Sequence, residues 1–110
     1  MDIELKMIRN TLIIRLKGEF DLLKAEKIRR LIDEKLQDKQ ARNLILNLEK
    51  VSFVDSSGLG VIIGRYKKIQ EKEGSMYIVG AQPVVEKILT LSGINKLIPL
   101  FKNEQEALKI

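Results

Sequence analysis

The sequence predicts a single α/β domain on a mixed sheet of four or five strands, opened by a β-hairpin and carrying its helices mainly on one face. Three observations predict it. Two alternating segments flank Arg9-Asn10 near the N-terminus, apolar runs of strand length then alternate with stretches of helical period, and Gly18, Gly74 and Ser92-Gly93 punctuate them. Repeated strand-helix-strand units after a hairpin put parallel strands into one sheet. At 110 residues the chain fits one domain, 1–110, with one core.

Ile3, Leu5 and Met7 alternate with polar residues, as do Leu12, Ile14 and Leu16, so the first two strands pair across Arg9-Asn10 and Gly18 ends the second. Leu22 or Leu23, Ala25, Ile28, Leu31, Ile32 and Leu36 follow helical spacing, behind Asp21, a residue suited to N-capping. Leu44 to Leu48 is a short buried strand. A helix from about Ser57 to Glu73 carries Leu59, Val61, Ile62, Ile63, Tyr66 and Ile69, and Gly74 stops it. Met76 to Val79 is a further strand. Pro83 opens a helix at the position where its missing N–H costs nothing, and Ser92-Gly93 closes it. Leu97 to Phe101, interrupted by Pro99, suits only an edge strand, and Asn103 to Lys109 a last short helix. The order is β β α β α β α β α.

Composition narrows the function classes. With no cysteine and no histidine, the chain has no thiol catalysis, no Ser-His pair and no typical zinc site. The net charge of +5 does not point to nucleic acid, because its basic residues are scattered. Lys24, Lys27, Arg29, Arg30 and Lys35 interleave with Glu26, Asp33 and Glu34, and Arg65, Lys67, Lys68 and Lys72 neighbour Glu71 and Glu73, the pattern of solvated helix faces. No apolar run approaches the roughly 20 residues of a membrane span, and Met1 to Lys6 lacks the order of a signal peptide, so the cytoplasm is expected.

Val54-Asp55-Ser56-Ser57-Gly58-Leu59-Gly60 is the functional candidate, since it sets two hydroxyls and a carboxylate where a strand hands over to a helix. A serine nucleophile does not fit: the Gly-x-Ser-x-Gly elbow is absent and no histidine serves as base. A phosphate cradle over Gly58, Gly60 and Gly64 fits poorly, because Ile63 takes the third glycine's place in a dinucleotide fingerprint and Gly-Lys-Ser/Thr is missing. A small-ligand or nucleotide-binding module at Gly58 to Gly64 is nevertheless the alternative function, beside the plainer role of glycines in helix packing. As a substrate the serine fits well. A phosphate of about −1.5 to −2 charge on an exposed helix start meets free N–H groups and a favourable dipole, so the fold survives while the outward surface changes. The competing reading is that Ser56 or Ser57 merely caps the helix. Glu19 and Asp21, at the end of the second strand, fall on the same rim and form an acidic patch with it, or serve only the turn and cap there.

These residues resemble those of the anti-sigma factor antagonists, the STAS domain family, of the stage II sporulation protein AA type. The resemblance begins at Gly18-Glu19-Phe20-Asp21, continues through Ile45-Leu46-Asn47-Leu48, is densest from Ser52 to Lys67, and returns at Ser92-Gly93. It implies a cytoplasmic bacterial regulator of transcription and sporulation, not an enzyme, that works by partner switching. Ser56 would be phosphorylated by a partner that is both serine kinase and anti-sigma factor. The unphosphorylated form would bind that partner and release a sigma factor, and a serine phosphatase would restore it. ATP would belong to the kinase, so the chain itself needs no cofactor, catalytic residue or metal, and is expected to be a monomer. Partner contacts carry over to Glu19 and Asp21 in the loop after the second strand and to Asp55, Ser57, Gly58, Leu59 and Gly60. The type often has a histidine pair just after the loop Asp, where Leu22 and Leu23 stand here.

Overall fold

Arg9 turns the chain with a left-handed φ of 55°, so that β1 (Asp2–Ile8) and β2 (Thr11–Phe20) run antiparallel with Ile8 opposite Thr11. The computed structural model describes residues 2–109; Met1 and Ile110, the ends of the predicted domain, lie outside them. β3 (Asn43–Val54), β4 (Met76–Val79) and β5 (Leu100–Phe101) then add in parallel, giving a five-stranded sheet whose spatial order is the chain order. Between them come α1 (Leu22–Leu36), α2 (Ser56–Glu71) and α3 (Pro83–Ser92), a 3₁₀ turn at Ile94–Lys96, and a terminal α4 (Glu104–Leu108).

The sheet sorts its side chains by period 2. Leu12, Ile14 and Leu16 of β2, Leu44, Leu46 and Leu48 of β3 and Ile78 of β4 meet Ile28 and Ile32 of α1, Ile62 and Ile69 of α2, and Val85 and Leu89 of α3 in the main core. On the opposite face Ile13, Ile45 and Val79 pack with Ala107 of α4 in a second, small core, edged by Tyr77 and Phe101 whose rings meet edge to face. Three helices therefore cover one face and one short helix part of the other, as the sequence predicts.

Four details differ from the sequence reading. Gly18 does not end β2: with φ 113° it sits inside the strand at a register shift, and the strand continues to Phe20, so Glu19 belongs to a strand and not to a loop. β3 runs twelve residues rather than stopping at Leu48, because two shifts against β2 absorb the charged Glu49-Lys50 interruption and bring Val54 opposite Phe20. α2 ends at Glu71, and the left-handed residue beyond it is Glu73, with φ 60°. Gly74 serves another need, since a Cβ there would lie 1.8 Å from the Arg42 carbonyl oxygen. The edge strand is only Leu100–Phe101, the 3₁₀ turn and Pro99 taking up the residues before it.

Not every basic residue is solvated. Arg65 is 6% exposed and sets its guanidinium 3.1 Å from the Asp33 carboxylate, an ion pair joining α2 to α1 that Arg29 and Lys68 extend. Burial holds the Arg65 guanidinium below its usual pKa, and Asp33 opposes that effect. Lys72 donates to the carbonyls of Ala41 and Asp38, closing the far ends of the same two helices.

Candidate functional site

The pairing of Phe20 with Val54 ends two neighbouring parallel strands at the same level, so α1 and α2 start side by side on one rim. Two aspartates cap them. Asp21 accepts from the Leu23 N–H at 3.1 Å at the head of α1. Asp55 caps α2 by accepting from the Gly58 N–H at 3.0 Å, and its other oxygen accepts from the Leu22 N–H at 2.9 Å, on α1. One carboxylate therefore satisfies otherwise unpaired donors on both helices. The Gly58 N–H, opposed by desolvation and helped by the Leu22 and Ser57 N–H groups, holds the Asp55 carboxyl below its ordinary pKa.

The cap is thus Asp55, and neither Ser56 nor Ser57 fills that role, contrary to the plainer of the two readings of these serines. Ser56 is the first residue of α2 and exposed; Ser57 is half-buried. A hydroxyl at this first helical position stands outside the main core with the N-terminal end of a sixteen-residue helix behind it. Gly58 is buried for a steric reason: a Cβ there would lie 2.6 Å from the Phe20 carbonyl oxygen and 2.9 Å from Val54 Cγ1. Gly60 and Gly64 differ, since a Cβ at either meets nothing within 4 Å, so close packing on the sheet explains neither. Leu59 is half-buried against the main core.

Around the serine the rim is acidic and partly apolar. Glu19 is exposed one residue before the end of β2, and Asp21 lies 3.8 Å from Lys24. The structure brings Asp21, Asp55, Ser56, Ser57, Gly58 and Leu59 to one end of the sheet, with Glu19 opposite Phe53 in the adjoining register. The helical spacing that begins at Leu22 or Leu23 does not bury either residue: both are exposed, because the buried stripe of α1 starts at Ala25 and the first turn lies at the rim, where the Leu22 N–H bonds to Asp55, a contact that no spacing in the sequence signals. Among the described residues no group of three or more carboxylates is placed to hold a metal ion, and no helix is long and apolar enough to cross a membrane.

A STAS domain model matches residues 2–107. The chain is 42% identical over 108 residues to an anti-sigma F factor antagonist of Paenibacillus polymyxa, covering 98% of this chain and 92% of the relative. It superposes on the anti-sigma factor antagonist SpoIIAA in its unphosphorylated form with a TM-score of 0.86 at 32% identity, covering 97% of this chain and 93% of that one. It also superposes on the phosphorylated form of the Bacillus cell fate determinant SpoIIAA with a TM-score of 0.79 at 31% identity, covering 98% and 97% of the two chains. The first two of these relatives are named as antagonists of anti-sigma factors.

Proposed function

The chain belongs to the STAS domain family, and from that premise we propose that it is an anti-sigma factor antagonist switched by phosphorylation of Ser56. The observation that carries the reading is the division of labour at the head of α2: Asp55 is the cap, so Ser56 keeps an exposed hydroxyl with no capping duty. A relative named as an antagonist, and a solved relative that exists in a phosphorylated form, support it. In this scheme the partner is an anti-sigma factor that is also a serine kinase. ATP enters with that kinase, a serine phosphatase reverses the modification, and the chain acts in the cytoplasm.

The switch works through the surface. A phosphate on Ser56 adds a charge of about −2 beside Asp55, where Asp21 and Glu19 already make the rim acidic. A partner that meets this rim with lysine or arginine gains rate and specificity from it, and one shaped for the bare hydroxyl is expelled by the added bulk and by the desolvation of a dianion.

The test is direct. The chain is incubated with ATP and the anti-sigma F factor of Paenibacillus polymyxa, and the modified residue is located by mass spectrometry. Calorimetry then compares Ser56→Ala with Ser56→Asp. Modification at Ser56, with the Asp variant binding about 10-fold or more weakly, is the expected result. Modification elsewhere, or equal binding by both variants, would overturn the reading.

A further inference from the structure

Leu22 and Leu23 are 71% and 87% exposed on the first turn of α1, beside the head of α2. Single exposed leucines are common on protein surfaces. This pair is unusual in its setting. The opening turn of a helix favours acidic and small polar side chains, which answer its free N–H groups, and the first turn of α1 has no acidic residue. The leucines take no part in either core, so packing within the chain does not account for them. They are also held firmly: the Leu22 N–H donates to Asp55 and the Leu23 N–H to Asp21, which fixes the backbone that carries both side chains.

We propose that Leu22 and Leu23 are the apolar anchor of the anti-sigma partner and determine which partner the chain accepts. This rests on the antagonist reading above and adds the chemistry of the contact. Two features of the rim select the occupant. The anchor is continuous with the Ser56 surface through Asp55, which bonds to Leu22 on one helix and Gly58 on the other. The carboxylates of Glu19, Asp21 and Asp55 flank it, with Lys24 offsetting part of that charge. The complementary surface is an apolar recess edged by lysine or arginine. A backbone already held in place loses little freedom on binding, and anchors buried at the centre of an interface carry most of its affinity.

The experiment uses the full chain and the anti-sigma F factor of Paenibacillus polymyxa. Affinity is measured by calorimetry for the wild type, the double variant Leu22→Ser/Leu23→Ser, the conservative Leu22→Met/Leu23→Met, and Val84→Ser/Leu91→Ser, which removes apolar residues of 60% and 78% exposure on α3. Thermal unfolding accompanies each, and the serine pair, which removes exposed side chains that belong to neither core, is expected to unfold as the wild type does. The expected result is a loss of about 10-fold or more for Leu22→Ser/Leu23→Ser, binding within about 3-fold of wild type for the methionine pair, and no change for the α3 pair. A smaller loss of heat capacity on binding by the serine pair would mark missing apolar burial. Undiminished binding by Leu22→Ser/Leu23→Ser overturns this inference alone, whereas no binding by the wild type overturns the antagonist reading with it. Self-association of the free chain that the serine pair abolishes would overturn it too, by making a second copy the occupant.

Discussion

Asp55 accepts a hydrogen bond from the Leu22 N–H at 2.9 Å across 33 residues of sequence, so the carboxylate that starts α2 also fastens the start of α1. The rim is therefore one unit, and substitutions in it divide cleanly into those that break the fastening and those that change only what the rim displays.

Replacing Asp55 with Ala breaks it. Two helix starts lose an acceptor, and the melting temperature is expected to fall by about 5 °C. Asp55→Asn, which keeps an acceptor oxygen but no charge, should fall between the two proteins. Thermal unfolding followed by circular dichroism checks the order, and an Ala variant as stable as wild type would contradict the bridging role.

The same carboxylate sets a pH dependence. Its folded pKa lies below the ordinary value, the Gly58 N–H being the main cause, so its stabilising contribution is complete above the unfolded pKa of about 3.9 and is lost as pH falls through the folded one. The stability gap between wild type and Asp55→Asn in urea should be full at pH 7 and narrow once the pH drops below about 4. A gap of constant size would refute this assignment.

Ser56 should behave in the opposite way. It is exposed and caps nothing, so Ser56→Ala and Ser56→Asp are both expected to melt within about 3 °C of the wild type. A large drop for either would mean that the hydroxyl carries the fold.

The glycines of α2 should separate by position. Gly58→Ala forces a Cβ against the Phe20 carbonyl and Val54, at a cost of about 2–3 kcal/mol. Gly64→Ala meets open space inside a helix and should stabilise by about 0.5–1 kcal/mol. Urea denaturation of the two single variants measures both signs.

Across the sheet, Arg15 donates to both oxygens of Glu104 at 2.8 Å, and Asn47 also donates to Glu104, which lowers the Glu104 pKa and raises that of Arg15. Arg15 is a third exposed, so solvent screening keeps the effect modest; Glu104→Gln should cost about 1 kcal/mol. Hydrogen exchange should show faster opening of α4 alone, with the other helices unchanged.

Much of this was legible in the chain. The periods of Leu12-Ile14-Leu16 and of Ala25 to Leu36 gave strand and helix directly, and Asp21, Pro83 and Gly93 marked ends where the structure has them. Illegible features were those in which distant segments decide. Glu49-Lys50 breaks the alternation of β3, yet pairing with β2 carries the strand on to Val54. Ile13 and Ile45 lie among residues already assigned to the main core, and only the return of α4 gives them a second one. Arg65 reads as a surface charge until Asp33 of α1 is laid against it. At the rim, the sequence supplied the serine and both aspartates, but Asp55 could be identified as the cap only once the Phe20 and Val54 strand ends stood level.

Because each strand lies beside its predecessor, none has to wait for a later segment to be threaded between two earlier ones. A nascent chain leaving the ribosome can extend its sheet strand by strand, with the exposed edge moving forward as synthesis proceeds. Arg15 is made early and its partner Glu104 lies 89 residues later, so that ion pair has to wait until α4 has been synthesised, and it ties the second strand to a helix made long after it.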